Sequence, residues 1–238
     1  MLFDKYEPET ISLYKKIVRP GMTIIDIGAH IGYFTRIGSR LIGKNGKVIA
    51  FEANPSNFAL LKKNTKSMKN VFPHEFAVAD KKGTMDFYHY EEKSGVGSIL
   101  PNVPLDFKKT KISVLATDLD SFLEKGKVQK IDVIKMDIEG GESAALLGMK
   151  NLLAGTSDLQ MIIEFAPAWV IASGNSPIAF LNYIESFGFE ISAITAEGLK
   201  KMSPMQTEKD YAEYIPRPKD GSHFGEFVNL YCVKNVRG

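Results

Sequence analysis

The sequence predicts an α/β protein: a doubly wound, mostly parallel sheet with an inserted β-hairpin between its third and fourth core strands and an antiparallel last strand. Three observations predict it. Short apolar runs alternate with helical segments along almost the whole chain of 238 residues, as in a parallel sheet covered on both faces. Near the amino end, Ile24-Ile25-Asp26-Ile27 runs into Gly28, with a second glycine at Gly32. A helical segment then leads to Lys47-Val48-Ile49-Ala50-Phe51 and Glu52. That is strand, glycine turn, helix, strand, acid, the plan of a nucleoside-binding βαβ unit. The middle stretch, Lys82 to Thr117, departs from it, because Thr84 to Tyr90 alternates with period two.

The elements follow in order. Glu7 to Val18 reads as an amphipathic helix with Ile11, Tyr14, Ile17 and Val18 on one face, stopped by Arg19-Pro20-Gly21-Met22. After the first strand a helix runs from Ile31 to Ile42, and Gly43 to Gly46 closes it. The second strand is Val48 to Glu52; Asn54-Pro55-Ser56 starts a helix over Asn57 to Lys66, and a third strand spans Phe72 to Val78. Lys93 to Pro104 is a loop, rich in Gly, Ser and Pro, and Lys111 to Thr117 is another strand. A short helix (Asp120 to Glu124) precedes the strand Asp132 to Met136. Helix Glu142 to Leu153, strand Gln160 to Phe165, helix Pro177 to Phe187 and strand Glu190 to Ile194 follow. A polar loop from Lys200 to Gly225 leads to the last strand, Glu226 to Val233.

The length suits one domain over residues 1–238, with an N-terminal helix in 1–22, inserted strands in 82–117 and an acceptor-side loop in 200–225. Aromatic residues Tyr211, Tyr214, His223 and Phe224 in that loop can stack on a ring, or simply pack the loop. Lys+Arg 30 against Asp+Glu 28 demands no nucleic-acid partner. The one cysteine, Cys232, lies in an apolar run and reads as a buried thiol. No signal-peptide core and no membrane span is expected, which suits a cytoplasmic protein. Composition does not reveal an oligomeric state.

The glycine spacing discriminates between cofactors. A dinucleotide fingerprint wants G-x-G-x-x-G, but the middle position here is His30, and no P-loop occurs. Asp26, two residues before Gly28, repels a pyrophosphate and suits an ammonium. S-adenosyl-L-methionine carries an ammonium and a sulfonium and no phosphate. Glu52, 24 residues beyond Gly28, falls where a ribose ligand belongs. Ligands of such sheets bind beyond the carboxyl ends of the strands, so Gly28, Glu52, Val78, Asp137 and Glu164 are the positions to watch.

Lys135-Met-Asp-Ile-Glu-Gly-Gly-Glu142 places Asp137, Glu139 and Glu142 within six residues at a strand end. Their repulsion calls for a cation or a shared proton. Asp137 can hold the donor's ammonium or a metal, and Glu139 or Glu142 can orient the acceptor or take its proton. Glu142 is better read as the first residue of a helix, where an acid complements the dipole. Glu164 follows two isoleucines at the next strand's end, a costly place for an unpaired acid.

These residues carry a resemblance. Tyr6 to Thr10, Asp26 to Thr35, Phe51 to Pro55, Ala77 to Asp80, Gly97-Ser98, Asp118 to Asp120, Lys135 to Glu142 and Ile163-Glu164 resemble the FkbM family of S-adenosylmethionine-dependent methyltransferases. The likeness implies a Rossmann-like sheet of the class I methyltransferase type. It implies O-methylation of a hydroxyl on a sugar or other small natural product. It places Gly28 and Gly32 under the donor, Glu52 on its ribose, Ala77 or Val78 beside its adenine, and Asp137 near its amino acid end or the acceptor. Glu7, Asp26, Ala29, His30, Tyr33, Thr35, Ala53, Asn57 and Ser98 complete the candidate donor contacts. The family usually has Asn at the position of His30. That side chain can contact the donor carboxylate, accept a proton, or cap the turn.

Methyl transfer needs alignment of acceptor, methyl and sulfur, and a destination for the acceptor's proton. Asp137, Glu139, Glu164 and His30 are the catalytic candidates. No two carboxylates show a diagnostic metal spacing, so no metal is expected. Gly95-Val-Gly-Ser98 reads as a loop that can close over the donor, or as a plain hairpin connection. The alternatives are an RNA or protein methyltransferase and a nucleoside-binding module without catalysis; a dinucleotide oxidoreductase fits less well.

Overall fold

The computed structural model describes residues 7–90, 97–101, 108–202 and 227–234. Helix α1 (Pro8–Ile17) leads into β1 (Thr23–Ile27), α2 (Tyr33–Ile42), β2 (Lys47–Phe51), α3 (Pro55–Thr65) and β3 (Val71–His74). Four strands come next: β4 (Ala77–Val78), β5 (Gly83–Tyr90), β6 (Gly97–Ser98) and β7 (Lys109–Thr117). Then come α4 (Leu119–Gly126), β8 (Val133–Met136), α5 (Glu142–Leu147), α6 (Lys150–Gly155) and β9 (Gln160–Phe165). The chain continues with α7 (Pro167–Ala172), α8 (Pro177–Ser186), β10 (Phe189–Thr195), β11 (Gly198–Lys201) and β12 (Val228–Lys234).

The main sheet has the order β11-β10-β12-β9-β8-β1-β2-β3. Its five strands from β9 to β3 are mutually parallel, and β12 runs antiparallel between β9 and β10. The winding starts at β1, moves out to β3, and then restarts on the other side of β1 at β8. A crevice opens at such a switch point, beyond the strands' carboxyl ends. Both faces are covered, so the middle residues of β1, Ile24, Ile25 and Asp26, are all buried. Ile24 packs with Tyr14 and Phe34 on one face, while Ile25 and Ile27 join the larger core under Leu146, Leu181 and Ile184 on the other.

The structure redraws several expected boundaries. Helix α2 starts at Tyr33, because His30 (φ 50°) and Gly32 (φ 92°) keep the preceding turn left-handed. The expected strand Phe72 to Val78 is two strands: β3 ends at His74, and β4 joins β7 in a different sheet. Pro73 is tolerated because β3 is an edge strand. Residues between the third and fourth core strands build a four-stranded sheet, β4-β7-β5-β6, with β5 and β7 antiparallel; β6 falls in the expected loop.

The expected helix Glu142 to Leu153 breaks at Gly148. A Cβ there would lie 1.9 Å from the Ala79 carbonyl oxygen. The Gly148 carbonyl instead accepts from the Asp120 N–H, and the Asp120 carboxylate accepts from the N–H groups of Asn151 and Leu152, capping α6. Helix α7, which buries Trp169 and Val170, has Ala166 before it and so no side-chain cap to announce it. Strand β11 pairs with β10 although all four of its residues are exposed, which leaves no apolar period to read.

Cys232 is fully buried on β12, and burial pushes its thiol well up. Among the described residues, no helix is long and apolar enough to cross a membrane. Tyr211, Tyr214, His223 and Phe224, with Gly95 and Val96 of the expected closing loop, lie outside the described residues.

Candidate functional site

The glycine turn crosses from β1 to the end of β2. The N–H groups of Gly28 (φ 80°) and Ala29 both donate to the Phe51 carbonyl at 2.9 Å. His30 N–H then donates to Glu52 Oε2 at 2.7 Å, and Asn54 N–H donates to Glu52 Oε1 at 2.8 Å. Two fixed backbone donors therefore aim the Glu52 carboxylate. Burial raises its pKa to about 7, with Asp26 and Asp137 pushing the same way and the two N–H bonds opposing. Asn54 caps α3 by accepting from Ser56 and Asn57 N–H, and its Nδ2 lies 2.9 Å from His89 Nδ1 on β5. The smaller sheet is thus tied to the rim beside Glu52.

Deeper in, Asp26 and Lys135 are register partners on β1 and β8. Asp26 Oδ2 accepts from Thr35 Oγ1, and its Oδ1 is buried with no hydrogen-bond partner among the described residues. Burial raises the Asp26 pKa, and Lys135 is the largest influence holding it down. Lys135 is 3% exposed, donates to Asp137 Oδ2 at 2.7 Å, and lies 4.9 Å from the Phe34 ring centre. Burial alone would lower its pKa; Asp137, Asp26 and Glu7 outweigh burial and hold the ammonium charged.

Asp137 starts the acidic loop. Its N–H donates to the Ile27 carbonyl, and a Cβ on Gly28 would lie 1.9 Å from its carbonyl oxygen. The glycine turn and the acidic loop therefore pack backbone to backbone, which only glycine permits. Glu139 (φ 50°) and Gly140 (φ 91°) are both left-handed. Glu142 is buried and its carboxylate accepts from the N–H groups of Ile138 and Gly140, each at 2.9 Å. It braces the loop from inside, a different duty from complementing a helix dipole. Burial raises its pKa to about 7.

Asp137, Glu139 and Glu164 offer carboxylate oxygens that all lie within 4.8 Å of one another. Sequence spacing did not announce this trio, because Glu164 comes from β9. Its oxygens are of the type that holds a hard cation, and the crowding is equally relieved by a shared proton. Burial pushes the Glu164 pKa well up, and the charges of Asp137, Glu139 and Glu142 push it further.

A cavity of about 790 Å³ opens over these groups, within the range of small-molecule sites. Its polar lining includes Glu7, Asp26, Tyr33, Lys135, Asp137, Glu164, His30, Glu52 and Asn57, with Gly28, Ala29 and Ala53 of the turn and the β2 end. Phe51, Phe76, Ala77, Val78, Phe87 and Ile99 supply apolar lining, and Glu139 also lines the cavity. Three expected donor contacts do not line the cavity. Gly32 shapes the turn against Leu61, Thr35 is buried on Asp26, and Ser98 is buried against the acidic loop. Sequence reasoning passed over Lys135. A lysine inside the apolar strand Val133-Ile134-Lys135-Met136 was itself a signal, since a buried charge must find partners.

Residues 26–191 match the methyltransferase FkbM domain family. The chain is 27% identical over 148 residues to hexuronic acid methyltransferase AglP of Haloferax volcanii, covering 62% of this chain and 58% of AglP. It is 28% identical over 164 residues to 2-O-methyltransferase NoeI of Sinorhizobium fredii, covering 64% of this chain and 66% of NoeI. The chain thus spans 58% and 66% of the lengths of these two relatives. Among solved structures, a methyltransferase FkbM from Methylobacillus flagellatus superimposes with TM-score 0.51 at 16% identity, over 93% of this chain and 50% of that one. A precorrin-6y C5,15-methyltransferase from Geobacter metallireducens gives TM-score 0.52 at 13% identity, over 96% and 88%. The fold is that of class I methyltransferases.

Proposed function

We propose, for a chain that belongs to the FkbM methyltransferase family, that it transfers the methyl group of S-adenosyl-L-methionine to a hydroxyl of a sugar-type small molecule. One observation carries the reading. A single cavity joins Glu52, aimed by His30 and Asn54 N–H, to the carboxylates around Asp137 across the glycine turn. The first group suits ribose hydroxyls. The second suits a cationic amino acid end, because Glu7, Asp26 and Asp137 outnumber their one buried lysine, Lys135. Phe76, Ala77, Val78 and Phe87 supply an apolar wall for adenine.

In the reaction, the acceptor oxygen forms a bond to the methyl carbon while the carbon–sulfur bond breaks. The electron pair goes to sulfur and leaves S-adenosylhomocysteine. The acceptor's proton goes to a carboxylate of the trio Asp137, Glu139 and Glu164, whose oxygens lie within 4.8 Å of one another and which all line the cavity. His30 contributes its backbone N–H to Glu52 and lines the cavity. The sugar-type acceptor is supported by AglP and NoeI, named for hexuronic acid methylation and 2-O-methylation. The acidic site disfavours a phosphate-rich acceptor such as RNA.

Thermal-shift titration with S-adenosylhomocysteine against NAD tests the donor. Labelled-methyl transfer from S-adenosyl-L-methionine to a panel of hexoses and hexuronic acids tests the acceptor. Stabilisation by NAD and not by S-adenosylhomocysteine would overturn the donor reading. Donor binding with no transfer to any sugar would leave the acceptor reading without support.

A further inference from the structure

We infer that Ser98 is a positioning residue, which holds Glu139 in its working conformation from the smaller sheet. The inference rests on the methyl-transfer reading for its catalytic consequence and on geometry for the rest. Ser98 has no exposed surface. Its Oγ–H donates to the Glu139 carbonyl at 2.6 Å, and the same Oγ accepts from Leu100 N–H at 3.1 Å. The hydroxyl is therefore satisfied on both sides and its orientation is set.

The grip falls where the acidic loop takes a left-handed backbone. Glu139 is a left-handed residue with a Cβ, a conformation disfavoured by roughly 1 kcal/mol or more. Glu142 secures the amides of Ile138 and Gly140, on either side of Glu139. Ser98 secures the Glu139 carbonyl between them. Leu100 also closes on Gly140, where an added Cβ would lie 2.6 Å from its Cδ1. The loop is thus clamped from within by Glu142 and from outside by β6 and the residues after it.

The same two-residue strand also faces the cavity. Gly97 lines it directly, packed against the Phe87 ring, which lines it too. Strand β6 pairs with β5 through Tyr88 and His89, and His89 meets Asn54 at the Glu52 rim. One small sheet thus reaches Asn54, whose N–H holds Glu52, on one side and the acidic loop on the other. Ser98 is the atom-level contact to the loop, which explains why it belongs to the site without touching the cavity.

The test compares Ser98→Ala, which removes only the hydroxyl, with the wild-type chain, and adds Ser98→Thr as the variant that keeps it. Three readouts apply: deuterium uptake across residues 138–141, affinity for S-adenosylhomocysteine, and labelled-methyl transfer to the sugar panel. Expected for Ser98→Ala are uptake at least fivefold faster across 138–141, donor affinity within twofold of wild type, and about tenfold or greater loss of kcat. Ser98→Thr recovers slow uptake. In a Glu139→Gln background, Ser98→Ala adds no further loss of kcat, because the two act through one group. Unchanged uptake, donor affinity falling in step with kcat, or losses that multiply in the double variant would each overturn the inference. Where Ser98→Ala does not fold, Ser98→Cys, a weak donor of similar size, takes its place. A wild-type chain that fails to bind S-adenosylhomocysteine refutes the methyl-transfer reading instead, and the uptake comparison still decides the clamp.

Discussion

Replacing Lys135 by methionine keeps most of its volume and removes the one buried lysine among the acids of the site. The ion pair to Asp137 is 2.7 Å long and both partners are largely buried. At an effective dielectric of 20, that separation corresponds to about 6 kcal/mol of gross attraction. Desolvation of the ammonium offsets part of it, so the net loss is smaller. Breaking a buried pair by removing one partner leaves an uncompensated charge, and here Asp26 and Glu7 lose the same compensating charge as Asp137. Lys135→Met should therefore lose about 3–5 kcal/mol of stability at pH 7.

The loss has a pH signature at each end. In the variant, acidification protonates Asp26, whose pKa burial raises and which loses Lys135 as its opposing influence, so the deficit shrinks from pH 7 to pH 4. In the wild type, Lys135 has a pKa raised above its ordinary 10.5. Its stabilisation is complete below pH 10.5 and is lost as pH rises through the folded value, so the deficit also shrinks in strong alkali. Urea unfolding at pH 4, 7 and 11 measures all three points. A deficit under 1 kcal/mol at pH 7, or one equal at pH 4 and pH 7, would refute the electrostatic reasoning.

Other perturbations address the remaining parts of the site. Glu52→Ala should weaken S-adenosylhomocysteine binding by about 1.5–3 kcal/mol, read by calorimetry; affinity equal to wild type removes Glu52 from the ribose. Gly28→Ala forces a Cβ to 1.9 Å from the Asp137 carbonyl oxygen at φ 80°, so its melting temperature should fall by several degrees and donor binding should be lost. A variant with wild-type melting would show that the two backbones are not in contact. Glu142 has a folded pKa of about 7 against an ordinary 4.5, so its stabilisation is complete below pH 4.5 and is lost as pH rises through 7. At about 1.36 kcal/mol per pH unit, the stability gap between wild type and Glu142→Gln should shrink by about 3 kcal/mol from pH 4.5 to pH 8. A gap that stays constant across that range would count against a raised pKa.

Much of this architecture is legible along the chain because it is local. The parallel core shows itself as apolar runs such as Ile24 to Ile27, which pack on both faces. The turn shows itself as Gly28 and Gly32, and the caps as Asn54 and Asp118. Boundaries failed where a distant contact intervened. Gly148 ends α5 because Ala79, distant in sequence, lies against it. Strand β4 leaves β3 because β7, more than thirty residues later, offers it a partner.

The sequence by itself determined the class of fold, the glycine turn and its acid at Glu52, and the acid-rich stretch from Asp137 to Glu142. Each is written in neighbouring residues whose spacing sets backbone conformation directly. Only the tertiary structure decided which acids share a space and what compensates them. Glu164 joins Asp137 and Glu139 from β9, and Lys135 sits beside Asp26 through a strand register. Ser98 reaches Glu139 across 41 residues of chain. Pairings of this kind depend on which strands become neighbours, and strand order is a property of the whole packed sheet rather than of any one segment.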